Sequence, residues 1–309
     1  MSFDTLNKAT GVYVISVTPF LPDGVIDFES LDRLVDFYAS AGVTGLTILG
    51  MMGEAQKLTQ AESLQVTERV LARAGALPVV VGVSAPGLAA VRELGLQAMD
   101  LGAAGVMITP PMTLRTDDHI ISYYHQADEA LGGDVPVVLQ DFPLATGVQI
   151  SSAALGRIVE GVPSIAMLKH EDWPGLAKIS ALRKAEAGGR RRISILTGNG
   201  GIFLPEEMVR GADGAMTGFS YPEMMVGVCR LMAEGRTDAA QDLFDAYLPF
   251  ARYEQQPGLG LAIRKHVLAR RGVIAHDALR KPGQRLSAED IKDIDLLIAR
   301  QEQHLRRIG

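Results

Sequence analysis

Short apolar runs and longer amphipathic stretches alternate along the first 235 residues of the chain. Nearly every run is continuously apolar, a pattern typical of parallel strands that are covered on both faces. The predicted strands lie at residues 12–17, 45–50, 78–83, 105–109, 136–140, 165–169, 193–197 and 214–217. A helical pattern follows each strand, and capping residues such as Asp27, Thr59 with Glu62, and Ser151 mark where several of these helices begin.

The repetition of eight strand–helix units favours one architecture, a closed parallel (β/α)8 barrel or TIM barrel. A doubly wound open sheet is the alternative, but Thr18-Pro19-Phe20 follows the first strand in place of the glycine fingerprint expected there. Only helical patterns remain after about residue 236, at 239–253, at 260–271 and after a cap at 287–290. We therefore expect a catalytic barrel over residues 1–235 and a C-terminal helical segment over 236–309 that packs onto it.

Composition narrows the possible classes of function. Of the 309 residues, 47% are hydrophobic, which is enough for a large core. The net charge of −6 offers no basic surface for nucleic acid, and no apolar stretch is long enough to cross a membrane. Cys229 is the only cysteine and the histidines show no ligand spacing, so we expect neither a disulfide nor a metal site. Residues 1–10 lack the features of a signal peptide, so we expect a cytoplasmic protein.

Lys169 ends the apolar run at 165–168 and is the most informative residue of the chain. A buried, unpaired ammonium is costly, and a lowered pKa would leave a neutral amine able to form a Schiff base with a carbonyl substrate. In the alternative, the strand ends at Leu168 and Lys169 extends into water. Catalytic residues of parallel barrels lie at the carboxyl ends of the strands, so the position of Lys169 favours catalysis.

Other strand ends supply further candidate residues. Gln140 and Asp141 follow strand five, Gly198-Asn199-Gly200 follows strand seven, and Gly218 follows strand eight. The glycine loops either cradle a phosphate with backbone amides or give an extended substrate close access to the backbone. Asn199 is placed either to bind a substrate hydroxyl or to stabilise a glycine turn.

A set of motifs resembles the dihydrodipicolinate synthase / N-acetylneuraminate lyase family over nearly the whole chain. The motifs are Gly50-Met51-Met52-Gly53-Glu54 after strand two, Phe142-Pro143 with Thr146-Gly147 after strand five, Lys169, and Gly198-Asn199-Gly200. The resemblance implies a (β/α)8 barrel, usually assembled as a homotetramer. It also implies that the matching lysine, Lys169, forms a Schiff base with pyruvate or another 2-oxo acid, without a separate cofactor.

Three departures from the family pattern bear on the substrate. Met51 and Met52 replace the hydroxyl side chains that help hold the substrate carboxylate, although the amides of Met52 and Gly53 can still bind it. Gln140-Asp141 replaces Tyr-Asn, and glutamine cannot exchange a proton near neutral pH. Leu144-Ala145 replaces the arginine that pairs with a second carboxylate. The Gln-Asp pair resembles the branch of the family that dehydrates 2-keto-3-deoxy sugar acids.

We therefore expect a lyase that acts on a small hydroxylated 2-oxo acid. Lys169 would condense with the keto group, and a base would remove the C3 proton while the C4 hydroxyl leaves; retro-aldol cleavage would use the same iminium. His170 faces away from Lys169 on a strand, whereas Glu171 returns to its side; Asp141 and a water held by Gln140 are further candidates for the base. A synthase-like condensation of pyruvate with an aldehyde, a non-catalytic 2-oxo acid binding protein and a phosphosugar enzyme stay open as alternatives.

Overall fold

The computed structural model describes residues 3–173 and 175–308, and its centre is a closed barrel of eight parallel strands. Each strand pairs with its neighbour in the sequence, and β8 pairs with β1, so the predicted (β/α)8 fold is confirmed. The strands are β1 Gly11–Ile15, β2 Gly45–Ile48, β3 Val79–Gly82, β4 Gly105–Ile108, β5 Val137–Asp141, β6 Ile165–His170, β7 Ser194–Thr197 and β8 Gly214–Ala215.

Helices cover the barrel in the order that the sequence pattern predicts. They are α1 Asp4–Asn7, α2 Phe28–Ser40, α3 Gln60–Ala74, α4 Leu88–Asp100, α5 Asp117–Leu131, α6 Pro143–Thr146, α7 Ser152–Gly161, α8 Leu176–Ala187, α9 Leu204–Val209, α10 Pro222–Ala233, α11 Thr237–Glu254, α12 Gly260–Arg270 and α13 Ala288–Ile308. Three of the predicted caps are confirmed, because Asp27, Thr59 and Ser151 each accept a hydrogen bond from a backbone amide in the first helical turn. Short 3-10 turns lie at Met51–Gly53, Ala55–Lys57 and Asn199–Gly201.

The barrel closes where β8 meets β1. Gly214 has a φ of +150°, and a β-carbon at this position would lie 1.9 Å from the carbonyl oxygen of Gly11. Only glycine allows the two backbones to approach this closely, and β8 itself is just two residues long. The predicted strand at 214–217 is therefore too long, and Thr217 and Gly218 belong to the loop above the barrel.

Side chains alternate between the interior of the barrel and the layer under the helices. On β6, Met167 packs with the interior side chains, whereas Leu168 packs with the outer core. The same alternation sends Lys169 inward and His170 outward, because neighbouring side chains of a strand point to opposite faces. The fold thus places the lysine at the carboxyl-terminal mouth of the barrel.

The C-terminal helices share a hydrophobic core with the barrel. Phe250 of α11 packs against Phe219 after β8, with ring centroids 5.9 Å apart, and Tyr247 packs against Tyr221 at 5.6 Å. Helix α12 follows and runs back over the mouth of the barrel, so this segment contributes to the walls of the cavity described below. Within residues 3–173 and 175–308, no helix combines the length and the apolar character needed to span a bilayer.

Candidate active site

Lys169 lies in a cavity of about 500 Å³ at the mouth of the barrel. Its side chain is buried, and its Nζ lies 2.9 Å from a carboxylate oxygen of Glu171. On the neighbouring strands, Lys169 stands in register with Gln140 and Leu196. The alternative in which Lys169 extends into water is therefore wrong. The amine is not isolated, however, because the Glu171 carboxylate lies beside it.

Glu171 connects Lys169 to Gln140. The Gln140 side-chain amide donates a hydrogen bond of 2.6 Å to Glu171 Oε2, the same oxygen that faces Lys169 Nζ. All three residues line the cavity and all are at least 95% buried. A carboxylate held in this way can take a proton from the amine, or from the carbon next to the carbon atom to which the amine binds.

The loop after β7 positions Glu171 through contacts with its backbone and its side chain. Asn199 Nδ2 donates to the Glu171 carbonyl oxygen at 3.2 Å, and the Glu171 amide donates to the Asp141 carbonyl oxygen at 2.8 Å. Gly198 packs against the Glu171 side chain, whereas Asn199 also reaches the cavity wall. Of these two predicted substrate-binding residues, the structure thus places Asn199 at the cavity and Gly198 behind the carboxylate.

The amides of the three glycines in the β7 loop already have acceptors within the protein. Gly198 donates to the His170 carbonyl oxygen, Gly200 to the Thr217 hydroxyl at 2.8 Å, and Gly201 to the Gly198 carbonyl oxygen. A phosphate cradle needs such amides to point freely at the ligand. This arrangement argues against the phosphosugar alternative and favours the reading in which glycine lets a substrate approach the backbone.

The turn after β2 forms the wall of the cavity across the barrel from β6, the strand that carries Lys169. Met51 and Met52 line the cavity, but the Gly53 amide donates to the Gly50 carbonyl oxygen at 3.0 Å. The Gly53 carbonyl oxygen accepts a hydrogen bond of 2.7 Å from the Thr18 hydroxyl. The predicted use of the Gly53 amide for a substrate carboxylate is therefore wrong, because the turn itself consumes that donor.

Glu54 anchors this turn to the C-terminal segment. Its two carboxylate oxygens contact Lys265 at 2.6 Å and Lys57 at 2.7 Å, and Glu54 and Lys265 are buried. Burial lowers the pKa of Lys265 to about 8, against the opposing effect of the Glu54 charge. Sequence reasoning missed this pair, since its members lie 211 positions apart.

Asp141 does not reach the cavity, which corrects its prediction as a substrate ligand and a candidate base. Its carboxylate contacts Lys178 of α8 at 2.8 Å and faces the His170 ring at 3.6 Å on the outer side of the barrel. His170 Nε2 in turn lies 3.0 Å from the Gly175 carbonyl oxygen. His170 therefore faces away from Lys169, as the strand alternation predicts.

The remaining wall is formed by the loop after β8 and by the C-terminal helices. Of Gly218, Arg264 and Glu254, the sequence analysis singled out only Gly218. Arg264 of α12 and Glu254 of α11 line the wall next to Gly218 and are paired through a contact of 2.6 Å. The available signal was the presence of two adjacent cations, Arg264 and Lys265, between the apolar runs at 261–263 and 267–269 of the helix. Among the described residues, no cluster of histidine, cysteine, aspartate and glutamate is arranged to hold a metal ion.

Comparison with known proteins places the chain in a family. Residues 8–301 match the model of the dihydrodipicolinate synthetase family. The chain is 31% identical to an L-2-keto-3-deoxyarabonate dehydratase of Azospirillum brasilense over 307 residues, which is 97% of each protein. It is also 31% identical to a 4-hydroxy-tetrahydrodipicolinate synthase of Laribacter hongkongensis, over 76% of this chain and 80% of that protein.

A solved structure agrees with this placement. The crystal structure of a dihydrodipicolinate synthase from Rhodopseudomonas palustris superposes with a TM-score of 0.94 and 51% sequence identity, covering 97% of this chain and 99% of that one. The family match, the barrel and the motifs around Lys169 agree with one another over nearly the whole chain. The protein therefore belongs to the dihydrodipicolinate synthetase family of lyases.

Proposed function

We propose that the protein is a Schiff-base lyase that removes water from a 2-keto-3-deoxy sugar acid and needs no cofactor. The observation that carries this proposal is the contact between Lys169 Nζ and Glu171 Oε2 inside the cavity, with Gln140 on the same oxygen. The pair brings a nucleophilic amine to the keto carbon of a bound 2-oxo acid and a proton acceptor to the adjacent carbon, C3. The likeness to a relative named L-2-keto-3-deoxyarabonate dehydratase supports the choice of substrate class.

The proposed reaction begins when Lys169 attacks the keto carbon and water leaves. The resulting iminium withdraws electrons from the C3–H bond, so Glu171 takes the C3 proton and an enamine forms. The enamine electron pair then expels the C4 hydroxyl, which leaves as water with the proton that Glu171 returns. Hydrolysis of the iminium releases the dehydrated 2-oxo acid and restores Lys169. Gln140 keeps the Glu171 carboxylate oriented throughout these steps.

The walls of the cavity suit this substrate class. The amides of Met51 and Met52 begin a 3-10 turn, and the first amides of a helical turn have no acceptor within it, so they are available to the substrate carboxylate. Leu144 and Ala145 line the wall after β5 and offer no cation to a second carboxylate. This apolar wall disfavours the synthase-like condensation, whose product carries two carboxylates.

Reductive trapping tests the proposal. Incubation with pyruvate and borohydride is expected to add mass irreversibly to the wild type but not to Lys169→Arg, which keeps the positive charge beside Glu171. Lys178→Arg is a matched control, because Lys178 is also largely buried and paired with a carboxylate, yet lies on the outer side of the barrel. Absence of an adduct on the wild type would overturn the Schiff-base mechanism.

Turnover distinguishes the enzyme from a binding protein. With a panel of 2-keto-3-deoxy acids, the wild type is expected to form dehydrated 2-oxo acids, whereas release of pyruvate would indicate aldol cleavage. Glu171→Gln is expected to lower kcat by roughly 10²–10⁴-fold, the usual contribution of a general base, and to retain trapping with pyruvate. An adduct without turnover of any acid in the panel would show a binding protein.

A further inference from the structure

Arg264 carries a hydrogen-bond donor that the fold leaves unused. The side chain is 1% exposed, and its Nε donates to Glu254 Oε1 at 2.6 Å while Nη2 donates to the Gly218 carbonyl oxygen at 2.5 Å. Its Nη1 has no partner among the described residues. A buried donor without an acceptor is destabilising, and more so when the group is charged. Such a group calls for an explanation, and a ligand that completes its hydrogen bonding is one.

The residue that carries the unused nitrogen lines the cavity of Lys169. Arg264 and Gly218 both line this cavity. A β-carbon at position 218 would lie 2.2 Å from Nη1, so the absence of a side chain there makes room for the guanidinium. Gly218 is thus required at this wall for a reason that the sequence did not reveal.

The charge of Arg264 is already compensated. Glu254 is fully buried, and its second oxygen accepts bonds from the amide and the hydroxyl of Ser220. The charged side chains that line the cavity form two pairs, Lys169 with Glu171 and Arg264 with Glu254. Because the guanidinium needs no further counter-ion, its free N–H groups suit a neutral oxygen such as a hydroxyl.

The position of Arg264 indicates which part of a substrate it meets. The iminium carbon attached to Lys169 carries the carboxylate on one side and the remaining carbon chain on the other. With the carboxylate at the Met51–Gly53 turn after β2, one direction open to the chain is over the loop after β8, where Gly218 lies beside Arg264 of α12. In this orientation the far end of the chain meets the Arg264 wall.

We propose that Arg264 Nη1 donates a hydrogen bond to the hydroxyl oxygen at the end of the substrate remote from the keto group. Arg264 is then a specificity-determining residue that the C-terminal segment adds to the barrel, selecting sugar acids with a terminal hydroxyl. This inference rests on the proposed function and deepens it. Sites built to bind a substrate hydroxyl reject analogues that lack it by as much as roughly 10⁴–10⁵-fold, because the buried donor stays unpaired.

Two substrates that differ by one oxygen test this role. The compounds 4,5-dihydroxy-2-oxopentanoate and 4-hydroxy-2-oxopentanoate share the carboxylate, the ketone and the C4 hydroxyl that leaves. The wild type is expected to prefer the first by at least about 100-fold in kcat/KM. Arg264→Lys, which retains the charge beside Glu254 but loses Nη1, is expected to reduce this preference at least tenfold by slowing the first substrate. Arg230→Lys is the matched control, since Arg230 lies exposed on α10.

Trapping with pyruvate separates this inference from the proposed function. Pyruvate has no remote hydroxyl, so Arg264→Lys is expected to form the borohydride adduct as the wild type does. An unchanged substrate preference in Arg264→Lys, or loss of its pyruvate adduct, overturns the role of Arg264 while the wild-type adduct still supports the Schiff base. Should Arg264→Lys fail to fold, the double variant Glu254→Gln/Arg264→Gln removes both charges together, and the same loss of preference is expected from it.

Discussion

Gly198 lies so close to Glu171 that a β-carbon on Gly198 would come within 2.1 Å of Glu171 Cγ and 2.4 Å of Oε1. Real β-carbons do not approach other atoms to this distance, so any side chain at 198 must displace the carboxylate. The glycine therefore serves the site by leaving space for the Glu171 side chain.

Gly198→Ala is expected to lower kcat about 100-fold, because displacing a catalytic group by roughly 1 Å has an effect of this size. Trapping of pyruvate on Lys169 is expected to persist, since the amine itself is not displaced. Steady-state kinetics and intact mass measure the two effects. Gly87→Ala, at a position with open space around it, is the control. Wild-type kcat in Gly198→Ala would contradict the assignment of Glu171 as the base.

Glu207 of α9 is a buried carboxyl that the proposed reaction does not use. One of its oxygens has no hydrogen-bond partner among the described residues. Burial raises the pKa of Glu207 to about 7, against smaller opposing effects of Thr197 and His170. Because this folded-state pKa lies above the unfolded value, the folded protein binds a proton more tightly, and stability falls as pH rises from about 4.5 to about 7.

Glu207→Gln is expected to remove this pH dependence. A rise in pKa from 4.5 to about 7 corresponds to roughly 3 kcal/mol of unfolding free energy, fully lost above pH 7. Between pH 5 and pH 8 the unfolding free energy of the wild type is therefore expected to fall relative to that of the variant. Urea unfolding of both proteins at the two pH values measures this difference. Parallel changes in the two proteins over this interval would show that Glu207 titrates normally.

Breaking the Glu54–Lys265 pair is expected to destabilise the protein and the β2 turn together. Glu54→Gln leaves Lys265 buried without its counter-charge, which costs roughly 3–5 kcal/mol. Because Glu54 follows the Met51–Gly53 turn directly, KM for the 2-oxo acid is expected to rise as well. Thermal unfolding and kinetics measure both effects, and Glu29→Gln on the exposed face of α2 is the control.

A double variant checks the cause. Glu54→Gln/Lys265→Met removes both charges and is expected to recover part of the lost stability, since an apolar pair avoids a buried unpaired ion. If the double variant is less stable than Glu54→Gln alone, the loss arises from packing and not from charge.

The fold was predictable because its signals are local and repeated, whereas parts of the site were not. The apolar runs, Asp27 and Thr59 each act within a few residues of sequence. Asp141 was misplaced because β5 continues one residue beyond the predicted strand at 136–140, and this last position faces the outer layer in register with His170. A shift of one position along a strand moves a side chain to the opposite face of the sheet.

The Arg264 wall was beyond prediction for a different reason. Arg264 reaches the carbonyl oxygen of Gly218 across 46 positions and the carboxylate of Glu254 across ten. No local pattern encodes these distances, since they depend on how α11 and α12 fold back over the mouth. The position of Lys169 at the barrel mouth was predictable because it depends on the end of a single strand, which the sequence marks directly.

The opposite orientations of Lys169 and His170 restrict how this strand can change over time. Replacing one side chain of β6 alters one face, but inserting or deleting a single residue before Lys169 would exchange the inner and outer sets and carry the reactive amine under α8. A homologue with one residue inserted or deleted in β6 would therefore lose the amine from the cavity. Evolution of this strand is expected to proceed by substitutions that keep its length.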